Sequence, residues 1–177
     1  MKLVLLDRDG VINHDSEQYI KNPDEWIPIP GSLGAIARFT QAGYRVVIAT
    51  NQSGLSRGLF DMAALNAMHD KMHKAANQLG GRIDAVFFCP HALEAGCNCR
   101  KPRPGMLREI AKRLDVDLTG VPAIGDSLRD LQAASAVGAR PILVLTGKGE
   151  QALAAGGLPE GTEIYQDLAA AAMALVP

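Results

Sequence analysis

Short apolar runs alternate with helix-spaced segments along the whole chain. Leu3–Asp7, Arg45–Ala49, Ile83–Phe88, Val121–Ile124 and Pro141–Leu145 read as strands, too short and too rich in Val, Leu and Ile for surface helices. Between them, Ser32–Ala42 has helical spacing and closes at Gly43. Asp61–Leu79 is a long amphipathic helix with Asp61 as its N-cap and Gly80-Gly81 as its stop. Gly105–Leu114 and Leu128–Val137 supply two more helices, the second closed by Gly138. Glu163–Tyr165 adds a short edge strand before a final Ala-rich helix, and Gly156–Gly161 reads as a surface loop. Strands that alternate with helices build parallel βαβ units, so the chain is expected to fold as a layered α/β domain spanning residues 1–177.

Composition narrows the partners. Hydrophobic residues make up 47% and charged residues 21% of the chain, and the net charge of -1 gives no footing for nucleic acid or an anionic membrane surface. The apolar run after Lys2 stops at Asp7, too soon for a signal-peptide core, and the Leu168–Val176 stretch is too short to span a bilayer. A cytoplasmic monomer acting on a small molecule is the expectation.

Chemistry concentrates where strands end. The first strand ends in Asp7-Arg8-Asp9-Gly10, the second in Thr50-Asn51-Gln52-Ser53-Gly54, and the fourth in Gly125-Asp126-Ser127 with Asp130 a helical turn later. In a parallel sheet all these ends converge on one rim. Buried carboxylates there are costly unless a cation or a reaction uses them. Any one of these segments alone reads as an ordinary turn. Their joint occurrence points to phosphoryl transfer, with Mg²⁺ held by carboxylates and substrate phosphate. Asp7, at the ordinary carboxylate pKa of about 3.9, is expected to be an ionised nucleophile. Asp9 could protonate the leaving oxygen and then activate water, which requires it to start protonated.

The three cysteines, Cys89, Cys97 and Cys99, fall within eleven residues and enclose His91 in a C-x-H-x5-C-x-C pattern. Thiolates and imidazole are the ligands of tetrahedral zinc, and four ligands with no open position make the site structural. A Cys97–Cys99 disulfide would close a very small, strained ring. The loop runs straight into Arg100-Lys101-Pro102, so zinc would place two cations beside the strand ends.

Asp7-Arg8-Asp9-Gly10-Val11, Ala49–Gly54, Arg100-Lys101-Pro102 and Gly125–Asp130 resemble the four motifs of the haloacid dehalogenase (HAD) superfamily. The resemblance implies a Rossmann-like three-layer parallel sheet and an aspartyl-phosphate mechanism. It makes Asp7 the nucleophile and Asp9 the general acid/base, with Thr50 and Lys101 on the transferring phosphoryl group. Mg²⁺ would be held by Asp7, the backbone carbonyl of Asp9 and Asp126. The zinc pattern narrows the resemblance to sugar-bisphosphate phosphatases of that superfamily and, less closely, to the related histidinol-phosphate phosphatases. It implies a phosphorylated seven-carbon sugar as substrate and a place in lipopolysaccharide core precursor synthesis. Arg100 would recognise that sugar phosphate, helped by Asn51, Gln52, Ser53 and Arg57, with Asp15 to Tyr19 as a flap. Ser127 departs from the Lys that some of these enzymes carry after the metal Asp. The stretches between the motifs are already filled by helices, the third strand and the zinc loop, so no cap domain fits and the site should be open.

Other signals are expected to be inert. His69 and His73 lie at i, i+4 on one helix without the Glu of a zinc-protease motif and read as surface or half-buried residues. Gly147-Lys148-Gly149 reads as a turn, Arg103 as a solvated cation, Met62, Leu65, Met68 and Met72 as core, and Trp26 as a loop anchor. Two other classes share parts of the pattern. A receiver-like signalling module also places acids at strand ends, but Asp9 supplies hydrolysis that a receiver lacks. A zinc-stabilised binding module with a vestigial site would not need intact motifs.

Overall fold

The computed structural model describes residues 1–177. Six parallel strands, β1 (Lys2–Leu6), β2 (Tyr44–Asn51), β3 (Ala85–Cys89), β4 (Pro122–Gly125), β5 (Arg140–Val144) and β6 (Glu163–Tyr165), lie in the order β3-β2-β1-β4-β5-β6. The connecting helices are α1 (Ser32–Gln41), α2 (Met62–Gln78), α3 (Gly105–Leu114), α4 (Leu128–Ala136), α5 (Gly149–Ala155) and α6 (Leu168–Leu175).

Both sheet faces are covered, which is why the strands read as continuous apolar runs. Alternate side chains point to opposite faces. Val4 and Leu6 pack with α1, α2 and α6 through Ile36, Phe39, Leu65, Met68, Met72 and Leu168. Leu3 and Leu5 pack with α3 and α4 through Met106, Leu107, Ile110, Ala133 and Ala134. Asp61 caps α2 as expected, its Oδ1 accepting from the Ala64 amide at 2.8 Å. Met62, just inside that cap, is 44% exposed and leaves the core stripe to Leu65, Met68 and Met72.

The register places the chemistry. Leu6 pairs with Ile48 on one side and Ile124 on the other, so Asp7, Thr50 and Gly125-Asp126 come to the carboxyl edge of the sheet within about two residues of one level. Succession runs outward from β1 through β2 to β3, then restarts at β4 on the other side. That reversal splays the connections apart and opens a crevice at the carboxyl ends of β1 and β4. Residues 7–31 fold back over this rim, where an Asn13–Pro28 bridge and the Ile29 N–H to Ile12 carbonyl bond (2.9 Å) hold them. Trp26 anchors this excursion with no exposed surface, under the Lys71 ammonium 5.8 Å from its ring. One expectation fails: Gly147–Gly149 opens into α5, because Gly149 begins a seven-residue helix instead of closing a turn.

Candidate active site

Asp7, the first residue beyond β1, is tied to β4 by its amide, which donates to the Ile124 carbonyl at 2.9 Å. Its Oδ1 accepts from the Arg8 amide at 2.8 Å and lies 3.3 Å from Lys101 Nζ. Lys101 also sits 2.7 Å from Asp130 Oδ1 and donates to the Ala49 carbonyl at 2.7 Å. Burial alone would favour neutral Lys101, but Asp130 and Asp7 outweigh it and hold the ammonium above its usual pKa. Asp130 is the anchor of this pair. Burial pulls its pKa up, and Lys101 overrides that and keeps it below the ordinary carboxylate value. Its other oxygen accepts from the Asp126 amide (3.2 Å), the Ser127 amide (3.1 Å) and the Ser127 hydroxyl (2.8 Å). Ser127, at the start of α4, therefore serves a reciprocal cap with Asp130.

Ligand oxygens of Asp7, Asp126 and Asp130 come within 4.8 Å of one another. Asp126 Oδ2 accepts from the Lys148 amide at 2.9 Å. Two glycines admit that carboxylate: a Cβ at Gly10 or Gly147 would lie 2.0 Å or 2.3 Å from Asp126 Oδ2, and both have positive φ. Burial, then Asp130 and its neighbours, pushes Asp7 up to about 7. The same causes push Asp126 up to about 8. Both carboxyls thus stand above the ordinary carboxylate value, and a bound cation would favour their ionised forms. No hydrogen bond of the turn uses the Asp9 carbonyl. The donor set is all oxygen, as a hard divalent cation requires.

The Asp9 side chain has hydrogen-bond partners of its own. Its Oδ1 accepts from Arg8 Nε (2.8 Å) and Asn13 Nδ2 (2.9 Å), and its Oδ2 accepts from Gln52 Nε2 at 3.1 Å. Gln52 Nε2 also donates to Thr50 Oγ1 at 2.9 Å. Asn51 clamps the Lys101 backbone, accepting from its amide and donating to its carbonyl, each at 3.1 Å. Both amides fasten the site, and both line the cleft in which a substrate contact is expected of them.

Asp7, Asp9, Asp15, Tyr19, Thr50, Asn51, Gln52, Ser53, Arg100, Lys101 and Asp126 all line one cleft of about 170 Å³. Arg57 is apart, exposed on the turn before α2. Arg129 and Lys148 also line the cleft and were missed. Arg129 lies inside the fourth motif, where only its acids attracted notice. Lys148 lies in the supposed turn, and its Nζ is 3.7 Å from Asp15 Oδ2.

The second cluster assembles as expected. Cys89 Sγ lies 3.7 Å from Cys97 Sγ and 3.6 Å from His91 Nδ1, and Cys99 Sγ lies 3.4 Å from the same nitrogen. Ligands at tetrahedral zinc distances stand about 3.8 Å apart. Cys99 and Cys89 approach more closely, at 2.9 Å, and no disulfide forms. Burial and the hydrogen bond to Cys99 push the Cys89 thiol up to about 12, so a cation is needed to make it a thiolate. Arg103 donates to the Cys97 carbonyl, so it braces this loop.

An Asp-x-Asp turn, a hydroxyl, a buried Lys and a second acidic turn around the switch point of a parallel sheet define a HAD-like hydrolase. The HAD-hydrolase-like family profile matches residues 98–171, and the polynucleotide kinase 3 phosphatase profile matches residues 2–127. The D-glycero-beta-D-manno-heptose-1,7-bisphosphate 7-phosphatase of Bordetella bronchiseptica is 65% identical over 99% of this chain and 98% of its own. That of Pseudomonas aeruginosa is 55% identical over 98% and 97%. The crystal structure of the B. bronchiseptica D,D-heptose 1,7-bisphosphate phosphatase, complexed with magnesium and phosphate, superposes with a TM-score of 0.98 at 66% identity, covering 99% of this chain and 98% of that one. The chain belongs to this family of heptose-bisphosphate phosphatases, which are phosphoric monoester hydrolases.

Proposed function

We propose that this chain removes the 7-phosphate of D-glycero-beta-D-manno-heptose 1,7-bisphosphate through an aspartyl-phosphate intermediate on Asp7. The observation that carries the reading is the placement of Lys101 between Asp7 and Asp130, with Asp126 across the same cleft. A magnesium ion held by Asp7, the Asp9 carbonyl and Asp126 would offset the charge of an anionic nucleophile meeting an anionic phosphate. An Asp7 oxygen attacks phosphorus as the bond to the sugar oxygen breaks. Lys101 and the Thr50 hydroxyl face the phosphoryl oxygens. Asp9 gives its proton to the departing alkoxide through Oδ2, the oxygen that only Gln52 contacts, and then takes a proton from the water that releases phosphate. Arg100, Arg129 and Lys148 supply positive charge along the wall for the second phosphate. Asp15–Tyr19 forms the opposite wall as a flap, and no cap domain is needed for substrate contact.

The substrate assignment rests on the named relatives. Zinc bound by Cys89, His91, Cys97 and Cys99 requires reduced thiols, which supports a cytoplasmic setting. A single-domain monomer feeding lipopolysaccharide core precursor synthesis belongs to the same proposal. No helix is long and apolar enough to cross a membrane. The test is phosphorus NMR of the bisphosphate incubated with wild type and Asp7→Asn. The expected result is loss of the 7-phosphate with the 1-phosphate retained, and no turnover by the variant. Equal turnover by the variant, or release from C1, overturns the reading, and a higher kcat/KM for histidinol phosphate moves the substrate.

A further inference from the structure

Between the two acids lies Arg8, whose side chain has no exposed surface. Alternation along the chain turns it away from the cleft, toward α2. A buried guanidinium costs several kcal/mol unless it is paired and hydrogen-bonded, so a leucine here would serve packing better. The pairing is specific. Nε donates to Asp9 Oδ1 at 2.8 Å, and Nη2 lies 2.8 Å from the same oxygen as an ion pair without an aligned hydrogen bond. Nη1 lies 3.1 Å from His69 Nε2. Arginine can only donate, so Nε2 accepts and the ring proton sits on Nδ1. His69 occupies the buried stripe of α2 with Leu65, Met68 and Met72, and it does not line the cleft. Burial and the neighbouring Arg8 push its pKa down to about 4, which keeps the ring neutral.

The two Asp9 oxygens therefore differ. Oδ1 is held by Arg8 and Asn13, and Oδ2 receives only the Gln52 amide, which leaves it the oxygen for the proposed proton transfer. The carboxyl plane is set by Arg8, and the Arg8 fork is set by the imidazole. We propose that His69 and Arg8 form a buried positioning relay that orients Asp9 toward the leaving oxygen. This rests on the reading of Asp9 as the acid of the proposed reaction.

The test uses leaving-group demand. An alkoxide needs its proton at the moment of cleavage, and a p-nitrophenolate hardly does. The quantity to measure is kcat/KM, which ends at phosphorylation of Asp7 and so leaves out water activation. Wild type, His69→Leu, His69→Gln, Arg8→Met and Asp9→Ala are compared on the heptose bisphosphate and on p-nitrophenyl phosphate. His69→Leu is expected to lose about tenfold or more on the sugar and about threefold or less on the aryl ester. His69→Gln, whose side-chain oxygen can accept from Arg8, should recover most of the sugar activity. If His69→Leu does not fold, Arg8→Met carries the same prediction. Equal loss on both substrates, or no loss, overturns the relay. If Asp9→Ala is selective and the relay variants are not, only the relay falls. If Asp9→Ala loses both activities equally, the acid assignment itself is overturned.

Discussion

Single atoms decide this site. Gly147 has φ of 57°, and an added Cβ would stand 2.3 Å from Asp126 Oδ2 and 2.6 Å from the Gly10 Cα. Gly147→Ala should cost about 1–2 kcal/mol in backbone strain alone and push the Asp126 carboxylate off its position. The expected outcome is a folded protein whose activity needs at least about tenfold more Mg²⁺, a factor worth about 1.4 kcal/mol. An unchanged Mg²⁺ requirement in an activity titration would count against Asp126 as a ligand. The gathering of Asp7, Asp9, Thr50 and Asp126 was legible because the ends of parallel strands converge on one rim, and Lys101 because its motif follows the Cys/His loop. Arg8 drew no reading, and His69 read as a surface or half-buried residue, although the burial of both follows from periodicity. The residue between two cleft-facing acids must point the other way, and position 69 falls on the stripe of Leu65 and Met72. Lys148 was illegible, because its approach to Asp126 depends on how the β5–α5 turn meets the β1 turn, and no local pattern encodes that.

Among the elements, the link from β3 to α3 carries the least regular structure and the most consequence. Between Cys89 and Gly105 there is only a short 3-10 turn, Leu93–Ala95, with Leu93 69% exposed. Such a segment lacks the apolar burial to order itself, so the Cys/His cluster must do so. Lys101 follows Cys99 by two residues and is held from the other side by Asn51. Cys97→Ser should leave the far-UV circular dichroism nearly unchanged, because the sheet does not use this loop. It should lower bound zinc and cut kcat/KM by about tenfold or more through misplaced Lys101 and Arg100. Full activity in a zinc-free variant would show that the loop orders without metal. The existence of every strand and of every helix but one was legible. α5 escaped because seven residues after a Gly-Lys-Gly run give too little periodicity to tell a helix from a turn.

For the whole molecule, the sheet order gathers several carboxylates at one point, and stability must reflect that. Asp7 and Asp126 are raised to about 7 and about 8 from an unfolded value of 3.8. A folded pKa above the unfolded one means the folded state holds the extra protons, so without Mg²⁺ stability falls as pH rises through those values. His69, lowered to about 4 from 6.5, works the other way, losing stability as pH falls from 6.5 toward 4. Between pH 6.5 and 8 the Cys97 thiol, lowered to about 6, works against the two acids and adds stability as pH rises. The acids are therefore read from the difference between melting of the zinc-loaded protein with and without saturating Mg²⁺, which should widen as pH rises through this window. A difference that does not change with pH would contradict the raised values. The order β3-β2-β1-β4-β5-β6 itself was not predicted, since repeated βαβ units say that strands are parallel and leave their succession open. Everything converges on one bond, between an Asp7 oxygen and phosphorus. The direct measurement is rapid acid quench of wild type turning over the heptose bisphosphate, followed by peptide mass spectrometry. A phosphoryl group on Asp7 that forms and decays within turnover is the predicted result. Turnover with Asp7 never modified, or with the phosphoryl group on another residue, would contradict it.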